Sequence, residues 1–173
     1  MKDSFEVLIS SSSIQARIQT LAERINEDYQ GKSVTCVGVL KGSFLFMADL
    51  VRHLDIDVCC DFLGVSSYKG TESTGQVRIT HDLREPVEGR HVLIVEDIVD
   101  TGLTLDYLLH NIGVRKPASI AVASLLDKPS RRQVQVQVDY VGFSIPDAFV
   151  VGFGLDLDER FRQWPDIRIY KPQ

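Results

Sequence analysis

The run Val92-Leu93-Ile94-Val95, followed at once by Glu96-Asp97-Ile98-Val99-Asp100-Thr101-Gly102-Leu103-Thr104, constrains the fold more than any other segment of the chain. Four consecutive apolar residues with no polar alternation predict a strand buried on both faces, the usual state of a strand in a parallel sheet covered by helices. Residues directly after such a strand stand at its carboxyl end, where open α/β sheets bind their ligands. Asp100 to Thr104 predicts a tight, glycine-dependent loop, and Leu105, Leu108, Leu109 and Ile112, closed by Gly113, predict a helix after it. The start of a helix carries unpaired N–H groups and suits a phosphate.

Three carboxylates within five residues, Glu96, Asp97 and Asp100, repel one another unless something compensates them: a metal, a polyhydroxyl ligand or plain solvent. Their place between a buried strand and a phosphate-type helix start favours a ligand over a solvated loop. By residue type, Thr101 and Thr104 suit a phosphate, and Glu96 and Asp97 suit sugar hydroxyls. A phosphorylated sugar satisfies both halves.

The flanking sequence repeats the alternation of strand and helix. Ser12 with Gln15 predicts a capping box before Ile14, Ile18, Leu21, Ala22 and Ile25, which form one helical face. Val34 to Leu40 reads as a buried strand. Phe44 to His53 reads as a helix with Phe44, Phe46, Met47 and Leu50 apolar, and Ile56 to Val65 and Ala118 to Leu126 read as further strands. This order predicts an α/β protein with a central, mainly parallel sheet and right-handed crossovers. Val134 to Val138 alternates strictly and predicts an edge strand. Residues 66–76, rich in Ser, Thr, Gly and Lys, predict a mobile loop.

A length of 173 residues supports one domain with a sizeable core and is short for two. With 25% charged and 44% hydrophobic residues the composition is ordinary for a globular protein, and a net charge of −5 argues against a nucleic-acid partner. The absence of a leader or a membrane-length apolar run predicts a cytoplasmic protein with no membrane partner. Cys36, Cys59 and Cys60 lack metal-ligand spacing, sit in apolar runs, and are expected to be reduced core residues.

The segment from Val92 to Thr104 resembles the phosphoribosyl-diphosphate (PRPP) signature of the type I phosphoribosyltransferases. Leu40-Lys41-Gly42-Ser43, Ser66-Ser67-Tyr68, Leu125 to Arg131 and Phe149 to Asp156 occur in the order found in the hypoxanthine/guanine branch of that family. The resemblance covers nearly the whole chain. It implies a single phosphoribosyltransferase domain over 1–173, with a hood built from N-terminal residues and about 147–173. It also implies a Mg2+-dependent transfer of the phosphoribosyl group from PRPP to a 6-oxopurine in purine salvage, and a homo-oligomer, dimer or tetramer.

Carried over residue by residue, the resemblance assigns Glu96 and Asp97 to the ribose hydroxyls, directly or through Mg2+, and Asp100, Thr101, Gly102, Leu103 and Thr104 to the 5′-phosphate. Asp100 also takes the position of the general base, although an Asp that stabilises the turn is the other reading of the same residue. Lys41, Gly42, Ser67, Tyr68 and Arg162 fall at the pyrophosphate, with Ser67 and Tyr68 on the loop that closes over the site. Ile98, Lys128, Phe149 and Val150 fall at the purine: Lys128 as donor to the 6-oxo group, Phe149 as stacking partner. Asp156 joins Glu96 and Asp97 as a metal ligand, while Asp158 and Glu159 are read as a solvated acidic run. The resemblance further implies a cis peptide between Leu40 and Lys41. Phe153 and Leu157 depart from it, since Tyr is frequent at both positions.

Other readings keep part of this pattern. A receiver-like domain also has acids at strand ends but has no use for Thr101 to Thr104 or for Lys128. A PRPP-sensing regulator would keep the signature without an intact base site, and a transferase for xanthine or another base would share most residues. Lys41, Asp100, Lys128, Asp156 and Arg162 together favour an enzyme for a 6-oxopurine.

Overall fold

The computed structural model describes residues 4–67 and 77–172. In chain order the strands and helices are β1 (Ser4–Ile9), α1 (Ser11–Asp28), β2 (Ser33–Leu40), α2 (Phe44–Val51), β3 (Asp57–Ser67), β4 (Val77–His81), β5 (His91–Val99), α3 (Leu103–Gly113), β6 (Ser119–Asp127), β7 (Tyr140–Ser144), β8 (Val150–Val151) and β9 (Ile167–Lys171). Six strands form the main sheet in the order β4-β3-β2-β5-β6-β7. All neighbours in it are parallel except the antiparallel pair β3 and β4.

β5 lies at the centre, and its apolar run divides between two cores. Leu93 and Val95 pack with Ile14, Ile18, Ile25, Phe46 and Leu50 of α1 and α2. Val92 and Ile94 pack with Leu105, Leu108 and Ile112 of α3. Side chains alternate across a strand, so each face needs its own apolar set and no polar residue fits between Val92 and Val95. Burial of each such Leu or Ile contributes about 1.5–3 kcal/mol.

This arrangement creates a topological switch point. The chain leaves β2 through α2 on one face and reaches β3 on one side; it leaves β5 through α3 on the other face and reaches β6 on the opposite side. The carboxyl ends of β2 and β5 therefore open a crevice between diverging connections, the place where such sheets take ligands. A second sheet, in the order β1-β9-β8, is antiparallel throughout and joins residues from both ends of the chain. An aromatic cluster supports it: Phe5 lies 4.9 Å from Phe161 and 5.0 Å from Trp164, and the Arg168 guanidinium stands 4.4 Å above the Trp164 ring.

Four local expectations are corrected. The cap of α1 is Ser10, extended at φ −71° and ψ 155°, whose hydroxyl accepts from the Ser13 N–H, and Gln15 instead donates to Asp49 Oδ2 at 2.7 Å. A run of four serines offers several starts, and the one that brings Gln15 over α2 is used. Cys36 is buried, but Cys59 and Cys60 are exposed. The pairing of β4 with β3 begins only at Gly64, which leaves the earlier part of β3 as an outer edge among the described residues. Phe44 stays exposed at the start of α2, away from the core face made by Phe46, Met47 and Leu50.

The fourth concerns Val134 to Val138, which forms no strand. Its alternation is real, with Val136 and Val138 packed on the α3-side core, but its backbone turns elsewhere: Gln133 and Val134 donate to the Thr101 carbonyl at 2.8 and 3.2 Å. Tyr68 and the expected loop through 76 lie outside the described residues, and Ser67 ends β3 opposite Val77.

Candidate active site

The end of β5 places Glu96 and Asp97 on opposite faces of the strand, continuing the two apolar sets before them. Glu96 is only 5% exposed. Burial pushes its carboxyl well above the ordinary range, and the neighbouring Asp97 adds to the effect. Asp97 is raised to about 6, by burial foremost and in smaller part by nearby Asp156, against the opposing pull of the Ile98 N–H and Arg162. Two buried acids with no cation bonded to either among the described residues are costly in the ligand-free chain.

Asp97→Asn tests that cost. A carboxyl whose folded pKa of about 6 exceeds its unfolded 3.8 binds more protons folded than unfolded, so its contribution favours folding at low pH and is lost as pH rises through 6. The Asn variant, free of this penalty, is expected to melt above the wild type at pH 8, by on the order of 2 kcal/mol. The advantage should shrink toward pH 4, where the wild type carries its own proton. Thermal melts of both proteins across that range decide it; an advantage that does not change with pH would remove the buried charge as its cause.

After Val99 the chain turns through Asp100, Thr101 and Gly102 into α3. Gly102 has φ +87°, and a Cβ there would stand 2.6 Å from the Val134 carbonyl oxygen, so both conformation and space exclude a side chain. The Thr101 hydroxyl accepts weakly from the Leu103 N–H at 3.4 Å, and the Gly102 carbonyl takes the first helical bond from Asp106. A cavity of about 210 Å3 lies here, lined by Glu96, Ile98, Asp100, Thr101, Gly102 and Thr104 among others. It has the form of an anion seat at a helix start with acids at its rim.

Lys41 and Gly42 come directly after β2, across the crevice. The Leu40–Lys41 peptide is cis, as expected. A Cβ on Gly42 would lie 1.6 Å from Asp97 Oδ2, and one on Gly154 would lie 2.0 Å from the Gly42 carbonyl oxygen. The β2 loop, the β5 acids and the segment around Gly154 are thus packed backbone to side chain, leaving no room for a larger residue. Arg162 donates to the Gly154 carbonyl at 2.7 Å and pairs with Asp156 at 2.9 Å, while Asp156 Oδ2 accepts from the Glu159 N–H. Glu159 is not simply solvated: its carboxylate meets Lys41 Nζ at 2.9 Å and Arg162 at 3.4 Å, which holds it below the usual carboxylate range, the Lys41 bond foremost.

Lys128, just past β6, is 7% exposed, and its N–H donates to the Val99 carbonyl at 2.9 Å, which fixes it beside the end of β5. Two arginines that sequence reasoning left without a role are central here. Arg131 pairs with Asp100 at 3.2 Å and with Asp147 at 3.6 Å, linking the β5 turn to the segment that leads into β8. Arg132 pairs with Asp127 and donates to the Asp100 carbonyl at 2.7 Å. The one signal in the sequence is their position directly after Lys128-Pro129-Ser130.

The expected residues Glu96, Asp97, Asp100 to Thr104, Lys41, Gly42, Asp156 and Arg162 are brought together, with Lys128 and Ile98 beside them. Phe149 and Val150 lie at the second sheet: Val150 is buried in β8, and Phe149, just before it, is 51% exposed with its ring edge-on to Tyr170 at 5.9 Å. Phe153 is a buried core residue at φ +47°, and Leu157 pairs with Arg160 through its backbone, so both positions act in packing the segment around Gly154. Among the described residues no three His, Cys, Asp or Glu groups form a ready metal cage. Glu96, Asp97 and Asp156 supply only oxygen donors, the kind Mg2+ takes, and Asp97 and Asp156 are near enough to repel; Mg2+ needs only one or two carboxylates when a phosphate ligand completes its shell.

Comparison with known proteins agrees with this geometry. A phosphoribosyl transferase domain model matches residues 10–158. The chain is 49% identical over 174 residues to the hypoxanthine-guanine phosphoribosyltransferase of Bacillus subtilis, covering 99% of this chain and 97% of that protein. Crystal structures of a hypoxanthine phosphoribosyltransferase from Staphylococcus aureus (47% identity, TM-score 0.92, 96% and 91% of the two chains) and of a hypoxanthine-guanine phosphoribosyltransferase from Bacillus anthracis (40% identity, TM-score 0.91, 99% and 100%) share its fold. With a buried strand that ends in acids and a glycine turn, set at the switch point of a parallel sheet, this chain belongs to the phosphoribosyltransferase family.

Proposed function

We propose that this chain salvages purines by transferring the 5-phosphoribosyl group of PRPP to hypoxanthine and guanine, releasing pyrophosphate. The observation that carries the reading is the crevice itself: at the end of β5, Glu96 lines the helix-start anion seat on one face, and Asp97, against Gly42, stands near Arg162 beside the hollow of Lys41 on the other. One end of that crevice suits a 5′-phosphate, the middle a ribose, and the other end a diphosphate.

In this reading a ring nitrogen of the purine forms a bond to C1 of the ribose as the C1–O bond to pyrophosphate breaks. Asp100 takes the proton from the imidazole ring, Thr101 to Thr104 hold the 5′-phosphate, and Glu96 and Asp97 orient the ribose hydroxyls. Lys41, Gly42 and Arg162, with Ser67 at the end of β3 and Tyr68 next in sequence, receive the pyrophosphate. Lys128 donates to the 6-oxo group, which disfavours adenine because an amino group there would leave a buried ammonium without its acceptor. Phe149 covers the base from the second sheet, which serves as a hood; Ile98 packs against the base, and the Val150 backbone reads its far edge. Mg2+ bound through Glu96, Asp97 and Asp156 would supply neutralisation of the diphosphate charge.

The reading extends to a homo-oligomer, dimer or tetramer, working in the cytoplasm on PRPP and a 6-oxopurine; no helix among the described residues is long and apolar enough to cross a membrane. Spectrophotometric assays with PRPP, Mg2+ and each of hypoxanthine, guanine, xanthine, adenine and uracil test it. Turnover is expected with hypoxanthine and guanine and not with adenine or uracil. Absence of turnover with every 6-oxopurine would defeat the enzymatic reading, and a preference for xanthine would defeat the choice of base.

A further inference from the structure

Both cations assigned to the pyrophosphate already hold an anion. Glu159 Oε2 lies 2.9 Å from Lys41 Nζ, and the same carboxylate lies 3.4 Å from Arg162 Nη2 through either oxygen. A hollow of about 700 Å3 opens beside them, with Leu40, Lys41, Asp156, Glu159 and Arg162 in its wall. Among the described residues Arg162 Nε is buried with no hydrogen-bond partner, and the guanidinium meets its anions through Nη2. A carboxylate bridging an ammonium and a guanidinium at the mouth of a phosphate seat has the chemistry of a bound phosphate oxygen.

This contact is poorly explained as a stabilising one. The Lys41 and Glu159 side chains are 68% and 65% exposed, a setting in which an ion pair adds little to folding. Glu159 also sits at φ +62°, a strained region for a non-glycine residue. Its neighbours Asp158 and Phe161 share that region, at φ +51° and +76°. The backbone is held there by the Asp156 carboxylate accepting from the Glu159 N–H at 2.9 Å.

We propose that Glu159 is an internal stand-in for the diphosphate: in the ligand-free enzyme its carboxylate bridges Lys41 and Arg162, and an incoming diphosphate must displace it, so this residue sets the affinity of that seat. The inference rests on the reading that Lys41 and Arg162 receive the pyrophosphate. A carboxylate brings one charge and two oxygens, whereas a diphosphate brings several charges and six terminal oxygens, and so replaces it. Being exposed, the Glu159 side chain turns out into solvent without a burial cost. Its attraction to Lys41 and Arg162 is forfeited in the exchange, and that loss is subtracted from the binding of the ligand.

The test is calorimetric titration of the full chain with inorganic pyrophosphate in Mg2+ buffer, and separately with inosine monophosphate, for the wild type, Glu159→Gln and Asp158→Asn. Gln keeps the size of Glu159 and loses its charge; Asp158→Asn removes the same charge one residue away. Glu159→Gln is expected to bind pyrophosphate about fivefold more tightly, the equivalent of about 1 kcal/mol for an exposed ion pair. Asp158→Asn should change it less than twofold, and neither variant should alter the nucleotide's affinity. Unchanged or weaker pyrophosphate binding by a folded Glu159→Gln protein would overturn the stand-in while leaving the assignment of the seat intact. Equal tightening by both variants would also overturn it, since the effect would then be one of net charge. If the wild type bound the nucleotide but not pyrophosphate, the assignment of Lys41 and Arg162 would itself fall.

Discussion

Asp100→Asn is expected to lower kcat by about 10^2- to 10^4-fold while changing the KM for PRPP little, because the amide cannot accept the proton that the purine releases. The turn should survive the change. Its main support passes through the Asp100 backbone carbonyl, which accepts from Arg132 at 2.7 Å and is untouched by the substitution. Among the described residues the side chain is joined only to Arg131, at 3.2 Å, with the two groups 39% and 47% exposed, and an Asn oxygen can still accept that bond. Water screens such a pair, so the melting temperature should move little. Steady-state kinetics with hypoxanthine and PRPP, set beside a thermal melt, separate the possibilities. A rate within twofold of wild type would remove Asp100 as the base. A large rise in the KM for PRPP together with a lower melting temperature would make it a turn-forming residue instead.

The legibility of each feature in the sequence depends on the range over which it is decided. β5 and α3 are legible because their determinants are local: an unbroken apolar run for a strand covered on both faces, a glycine where φ must be positive, and a helical stripe ending at Gly113. The acids of β5 can be assigned to a ligand because they stand directly after that strand's apolar run. Cys59 and Cys60 cannot be placed, since their exposure depends on how far β4 extends along β3, a matter of register between strands. The same holds for Val134 to Val138, whose alternation marks one-sided packing but whose backbone partner, Thr101, lies on another element.

The site's ion pairs are the least legible part. Glu159 meets Lys41 across 118 positions of sequence, and nothing local distinguishes it from the exposed Asp158 beside it. Arg131 and Arg132 reach back 31 and 32 positions to Asp100. These contacts arise only when the carboxyl ends of β2, β5 and β6 are set side by side, so they belong to the topology. Their effect is to leave most charged groups at the crevice paired while it is empty: Lys41 with Glu159, Arg162 with Asp156, Asp100 with Arg131. Among the described residues the two buried β5 acids have no cation bonded to them, and they are the groups the reading gives to the ribose and the metal.

Arg132→Ala is expected to be the most destabilising single change at the site, costing about 3–5 kcal/mol. Arg132 and Asp127 are 10% and 14% exposed, so removing the guanidinium leaves a carboxylate in a poorly hydrated place. It also takes the partner from the Asp100 carbonyl, and it opens the space beneath Gly102, where the Arg132 side chain stands 3.1 Å from the position a Cβ would occupy. Stability and function should therefore fall together: with the turn unsupported, the KM for PRPP should rise about tenfold or more even where the protein remains folded. Urea unfolding of Arg132→Ala, Asp127→Asn and the double variant measures the coupling. The double variant should lose much less than the sum of the two single losses, since the charge stranded by one substitution is neutralised by the other. A loss below about 1 kcal/mol for Arg132→Ala would mean that water reaches the pair and that the turn keeps its own shape. In that case the KM for PRPP would stay near its wild-type value, and the helix start would owe its geometry to Gly102 alone.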